Sequence, residues 1–306
     1  LEGKPYYNKK NGENVYPQPG FTIIATANTK GRGSEEGKYL SQILDDAFLE
    51  RFPITVEQEY PDAKTEKKIL TVAREFTTET TFLGAHVVPK DAKSRDEYVN
   101  LVKGEMLDAC VDLAKWIDVF CDSSAFTVDE TRDILKAGLA KGLRGRIHGN
   151  QLGDTGGADL AAELKLASVD HCTYVSDKTL EALAANGVVA TLLPGAEFFT
   201  RSPYPDARRY LNAGVTVALA SDCNPGSSFM TSMPVIMSMA IRDMHFTPAQ
   251  AIYAATVGGA KALRREDIGH LTVGAKADFV IWDAPSYVHI PYRMGEVKVK
   301  VFSIHD

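Results

Sequence analysis

The chain has 306 residues, of which 44% are hydrophobic and 24% charged, the balance of a globular protein with a full core. Its net charge of -6 excludes the basic footprint of a nucleic-acid binder, and no apolar run reaches the length that crosses a bilayer. The opening LEGKPYYNKKNGENVYPQPG has no apolar stretch of the secretory-leader kind, so the expectation is a cytoplasmic protein that meets neither nucleic acid nor membrane.

The first twenty residues, polar and rich in Lys, Asn, Gly, Pro and Tyr, read as an extended lead-in or a hairpin. FTIIATA (21–27) is a β-branched run without alternation and predicts a buried strand. A glycine-rich loop (28–37), a helix (39–49), a second strand (52–56) and a further helix (63–76) follow. From residue 80 apolar strands alternate with amphipathic helices. The strands are TTFLGAH (80–86), IDVFCD (117–122), GRIHGN (145–150), ASVDHC (167–172), VVATLLP (188–194) and TVALASD (216–222). Helices are expected over 95–113, 128–141, 159–166, 177–185 and 207–213. Strand–helix alternation predicts a parallel sheet with crossover helices, and strands that each end in a polar residue favour a barrel over an open sheet. Beyond residue 230, helices over 235–241, 248–256 and 260–263 give way to IGHLTVGAKADFVIWD and VKVKVFSIHD, read as a small β-structure.

In a β/α barrel the chemistry gathers at the C-terminal strand ends. Those ends carry His86, Asp122, His148 (with Asn150 and Gln151 beyond it), His171 behind Asp170, and Asp222. One histidine at a strand end is more often structural, but three histidines and two acids at equivalent positions converge on one mouth. Imidazole and carboxylate form a donor set suited to zinc or iron, which lowers the pKa of bound water. The turn Asn224-Pro225-Gly226-Ser227-Ser228 follows Asp222 and is either a tight connection or a set of donors for a carboxylate. His245, His270, His289 and His305 read as structural. Cys110, Cys121, Cys172 and Cys223 form no C-x-x-C pair and read as buried free thiols.

TTFLGAHVVP, IDVFCD, RIHGNQ with a following GG-x-x-LAAEL, SVDH, ATLLPGAEFF and ASDCNPGSS, in this order and spacing, resemble imidazolonepropionase, a metal-dependent amidohydrolase family. IGHLTVGAKADFVIWD is similar to amidohydrolase tails. The resemblance covers about residues 70–306 and implies hydrolysis of 4-imidazolone-5-propanoate to N-formimidoyl-L-glutamate in histidine degradation, with one zinc or iron per chain. It implies His148 and Asp222 as metal ligands, Asp222 also handling a proton of the attacking water. His171 is implied to polarise or protonate near the reacting carbon. His86 and Gln151 are implied at the substrate, Gln151 also in catalysis, and Asn224, Gly226 and Ser227 at its polar end. Many members carry Glu where this chain has Asp122, which is left out of the set.

Two departures stand beside this. The family's first barrel strand ends in His-x-His, and the chain has no His-x-His. Residues 1–70 resemble instead a fragment of a MoxR/CobS-like AAA+ ATPase, with Asn28 at a sensor position and Arg51 at an arginine-finger position. The glycine-rich Gly31-Arg32-Gly33 is no Walker A loop, so this segment by itself gives no ATP site. The expected architecture is an α/β chain: residues 1–70 AAA+-like, 71–265 as partial or rebuilt (β/α)8 barrel units, and 266–306 as a small β-structure. The alternative to the hydrolase is a catalytically inactive chimeric fold, and a weaker third reading is an ATPase fragment. A sheet with open edges favours association, so a homodimer is the expected assembly.

Overall fold

A computed structural model describes residues 6–8, 13–16, 62–90, 92–224 and 226–303. The strands expected at 21–27 and 52–56, the loop at 28–37, the helix at 39–49, and with them Asn28 and Arg51, lie outside the described residues. The chain divides into two compact units, Leu1–Glu59 and Tyr60–Asp306. In the first, β1 (Tyr6–Asn8) pairs antiparallel with β2 (Glu13–Val15), Tyr6 opposite Val15 and Asn8 opposite Glu13.

The second unit begins with α1 (Ala63–Ala73), whose N-cap Asp62 accepts from Thr65 N at 2.7 Å. Six strands follow: β3 (Thr81–Ala85), β4 (Trp116–Cys121), β5 (Arg144–Gly149), β6 (Ser168–His171), β7 (Val189–Leu192) and β8 (Val217–Leu219). They form one parallel sheet in the order β3-β4-β5-β6-β7-β8. Each strand pairs with the next in sequence, which is the winding of a barrel wall; a doubly wound sheet reverses direction part-way. Every residue of β6 and β7 is buried, because a barrel strand is covered on both faces.

The crossovers are helical. Between β3 and β4, α2 (Arg95–Leu101) runs through a π-helical turn (Val102–Met106) into α3 (Leu107–Cys110). Then come α4 (Val128–Ala140), α5 (Gly157–Glu163) and α6 (Asp177–Ala185). α4 starts where the sequence holds a capping box: Thr127 and Glu130 satisfy each other's backbone N–H. Its apolar stripe of Ile134 and Leu135 is fully buried with Ile117 of β4 in one core. α7 (Pro194–Thr200) and α8 (Ala207–Asn212) connect β7 to β8. α7 was not expected, because Pro194 reads as the end of a strand rather than as the first helical residue it is.

After β8, α9 (Met233–Asp243) and α10 (Pro248–Tyr253) lead through a π-helical turn (Ala254–Gly258) into α11 (Gly259–Ala262). Gly258 lies on β8 so closely that a Cβ there would stand 2.3 Å from the Val217 carbonyl oxygen. The C-terminal β-structure is smaller than its sequence suggests. Of the strands read between 268 and 283 only β9 (Phe279–Trp282) forms, paired antiparallel with β10 (Val299–Ser303), with the short α12 (His289–Tyr292) between them. At the N-terminal end of the barrel wall Glu79 receives Lys115 Nζ at 2.6 Å and Trp116 Nε1 at 2.8 Å, with Arg265 at 3.7 Å. This end reads as a brace and the opposite end as the site. No helix among the described residues is long and apolar enough to cross a membrane.

Candidate active site

The strand ends do converge. His86 follows β3, His148 is next to last in β5, His171 ends β6, and Asp222 lies shortly past β8. The His148 ring centroid is 4.8 Å from that of His86 and 5.4 Å from that of His171. Donor atoms of His148, His171 and Asp222 lie within 4.8 Å of one another, and so do those of His86, Asp118 and His148.

Several residues of the mouth have strained backbones. Asn150 (φ 55), His171 (φ 75), Cys172 (φ 54) and Asp222 (φ 51) all occupy the left-handed region, where a Cβ costs about 1–2 kcal/mol. Such residues persist only where the surroundings hold them. Tyr210 Oη donates to the Cys172 carbonyl, and Cys172 N–H to Gly149 O at 3.1 Å. Asn150 Nδ2 donates to Tyr174 O (2.7 Å) and Asp154 Oδ1 (2.8 Å), while its Oδ1 accepts from Ala158 N at 2.8 Å. One asparagine therefore ties the ends of β5 and β6 to the start of α5.

Asp118, in the middle of β4, is buried, and its Oδ1 lies 3.0 Å from His148 Nδ1 and 3.6 Å from His86 Nε2. Burial alone would raise its pKa. The His148 charge and hydrogen bond, with His86, outweigh burial and hold the carboxyl well below the usual carboxylate range. Burial likewise works against a charged His148, but Asp118, then Asp170 and Asp222, raise it to about 9. His171 is the reverse: burial, with the His148 charge, pushes it well below an ordinary histidine, so it stays neutral. Burial raises Asp222 and Asp170, and the opposing pull of the His148 charge does not cancel it.

The loop after Asp222 is built around Asn224. Its Oδ1 accepts from Gly226 N and Ser227 N, both at 2.8 Å, and its Nδ2 donates to Asp222 O (2.7 Å) and Ser227 Oγ (3.0 Å). Ser227 Oγ also donates to Asp222 Oδ2 at 3.1 Å. The Asp122 carboxylate plays a structural part. It accepts from Ser123 N (2.7 Å), Gln151 N (3.0 Å) and Leu152 N (3.1 Å), and so shapes the loop that carries Gln151.

The donors fit a metal ion. His171 Nδ1 is buried and has no hydrogen-bond partner, in a residue only 2% exposed. Beside it stand the neighbouring His148 and a carboxyl, Asp222, whose charge is poorly compensated. Two imidazoles and one carboxylate are the three protein donors of a catalytic site that keeps an open position. His148 and Asp222 alone would bind weakly, and His171 offers a third donor atom within 4.8 Å of theirs.

A sequence profile of the amidohydrolase family matches residues 18–303. The chain belongs to the amidohydrolase family. It is 56% identical over 245 residues to the imidazolonepropionase of Mycolicibacterium smegmatis, an alignment taking in 80% of this amidohydrolase and 60% of that protein. It is 50% identical over 299 residues to the imidazolonepropionase of Streptomyces avermitilis, taking in 94% and 70%. The amidohydrolase thus spans 59 to 70% of the length of eight such curated relatives that it matches. Among solved structures, a zinc-bound adenosine deaminase from Xanthomonas campestris aligns with TM-score 0.54 and 21% identity over 74% of this chain and 57% of that one. That likeness speaks to the fold. The resemblance of residues 1–70 to an AAA+ ATPase, and the chimera built on it, finds no support here: the family match begins at residue 18.

Three residues of the amidohydrolase's mouth were missed in the sequence. Asp118 is a lone charge inside the apolar run WIDVFC, a signal that was there to be used. Asp170, passed over beside His171, stands 3.9 Å from His148 Nδ1. Glu197, on α7, is 2% exposed; its Oε1 accepts from Thr173 Oγ1 at 2.9 Å and its Oε2 has no partner. Burial and the nearby Asp222 charge raise its pKa to about 7. Cys110, Cys121 and Cys172 are buried as expected, whereas Cys223 is exposed because it rides on the Asp222 loop. His245, His270 and His289 are engaged locally with Asp206, Glu266 and Ser286.

Proposed function

We propose that this amidohydrolase opens the ring of 4-imidazolone-5-propanoate by adding water across the C–N bond at the ring carbonyl, giving N-formimidoyl-L-glutamate. One observation carries the reading: His86, His148, His171, Asp222 and the Asn224–Ser227 turn meet in one mouth with donor atoms a few ångströms apart. His148 and Asp222, with His171 as third donor, would hold zinc or iron; either metal suits this set. Bound there, the ion supplies a water of lowered pKa and polarises the carbonyl.

The other steps belong to the chain's own groups. Asp222, a carboxyl whose pKa is raised, takes a proton from the attacking water, and Ser227 Oγ keeps it oriented. His171, neutral because it is buried, takes up no competing proton near neutral pH. The nitrogen released as the C–N bond breaks receives its proton through Asp222. Gln151 and His86 face the ring, and the loop of Asn224, Gly226 and Ser227 receives the propanoate carboxylate. The two outer sides of the six-stranded sheet, on β3 and β8, pair with no described strand, and we propose a homodimer on that ground.

Metal content by elemental analysis on chain purified without chelator, followed by turnover of 4-imidazolone-5-propanoate, tests this. About one zinc or iron per chain, with turnover that chelation abolishes and metal restores, is expected. Metal near zero in a folded sample without turnover overturns the reading in favour of an inactive fold.

A further inference from the structure

We propose that Asp118 is a positioning residue. Its buried carboxylate fixes which nitrogen of His148 is free to bind metal, and it couples that imidazole to His86. The proposal deepens the metal-site reading above and rests on it for its functional meaning.

A carboxylate that is ionised can only accept hydrogen bonds. At 3.0 Å from Asp118 Oδ1, His148 Nδ1 must therefore carry its hydrogen and donate it. That assignment leaves Nε2, once it gives up its own proton, as the nitrogen of His148 that would bind a metal held beside His171 and Asp222. A histidine whose other nitrogen is held by a carboxylate keeps its tautomer and its ring plane, and becomes a more basic ligand.

Asp118 is itself a poor candidate for a ligand. Its Oδ1 is already engaged by His148 Nδ1, with His86 Nε2 standing 3.6 Å away, and its residue is 2% exposed in the middle of β4 rather than at a strand end. His148 sits opposite Phe120 in the sheet register, while Asp118 lies one pleat deeper opposite Arg146, so the carboxylate reaches the ring from below the mouth. His86 Nε2, at 3.6 Å from the same oxygen, is buried and makes no hydrogen bond. Substrate that draws His86 toward itself changes the load on the oxygen that orients His148. One buried atom thereby links the substrate side of the mouth to the metal side.

The experiment uses the full chain with 15N-labelled histidine and zinc as the probe. Asp118→Asn should weaken zinc binding by about 10- to 100-fold in calorimetric titration with the stoichiometry unchanged. It should also remove a far-downfield imidazole N–H proton signal that His148→Asn removes as well. Where turnover is measurable, Asp118→Asn should lower kcat and raise KM together, and Asp118→Glu, which keeps an acceptor, should recover part of both. Zinc affinity within twofold of the parent overturns the proposal, and so does complete loss of the stoichiometric site, which would make Asp118 a ligand. In the unmodified chain, an Nδ1 of His148 without bound hydrogen overturns it whatever the variants do. A parent that takes no zinc defeats the functional reading, while the proton signal still decides the role of Asp118.

Discussion

Glu197 carries a carboxyl that the fold keeps dry, raised by burial and by the charge of Asp222 to about 7, against 4.5 for an ordinary glutamate. Between those two values the folded chain holds a proton that the unfolded chain has released. Stability contributed by this group is thus complete below 4.5 and is lost as pH rises through 7. In the metal-free chain, Glu197→Gln should remove that slope: parent and variant should diverge by about 3 kcal/mol between the two limits, read from denaturant midpoints across pH. Parallel pH profiles would show that Glu197 stays ionised in the fold. Glu197 also marks where reading the sequence stopped short. That His86, His148, His171 and Asp222 meet in one mouth was legible because each stands at or near a strand end. Glu197 was not, because ATLLPGAEFF hides a helix start, and the cost of burying its carboxyl depends on Thr173 and Asp222, which are distant in sequence. Asp118 was legible in principle: an unpaired acid in an apolar strand demands a buried partner, and only the identity of that partner, His148, needed the fold.

Gly258 sets two tendencies against each other. Alanine is the better helix former by about 0.8–1.0 kcal/mol. Yet a Cβ at 258 would meet the Val217 carbonyl oxygen at 2.3 Å and Ala218 Cα at 3.1 Å, both backbone atoms that cannot swing aside. The contact should win, and Gly258→Ala should destabilise the chain by about 1–3 kcal/mol and weaken zinc binding by moving β8, which Asp222 follows. A variant more stable than the parent would mean that the helix after Tyr253 is free to lift off β8. The six strands of the sheet were found within a few residues, because fully buried barrel strands are short apolar runs that end in polar groups. The segment 268–278 was misread as strand since its apolar residues, such as Leu271 and Val273, are exposed and meet no ladder partner. Periodicity reports which residues want burial and is silent on whether a second strand arrives to pair with them.

A metal that binds the folded chain alone must stabilise it. Zinc at a hundred times its Kd should add about 2.7 kcal/mol, or about 4 °C in Tm for a chain of this size, and His148→Asn should abolish the rise. A Tm indifferent to zinc would place the donors outside any tight site. The barrel winding was readable from the alternation of strands and helices. The pairing of its edges was not, since closure depends on contacts that no local pattern encodes. The sequential order β3 to β8 also bears on how the chain assembles. Each strand finds its partner one helical crossover away, so contact order within the sheet is low, and the wall can grow by adding one unit at a time. The residues of the mouth do not share that locality. Asp118 comes from the second strand of the wall, His148 from the third, His171 from the fourth, and Asp222 only after the sixth has docked. Under the proposed metal reading an ion would be gripped only by a chain whose β8 is in place, so metal uptake would report completion of the barrel wall.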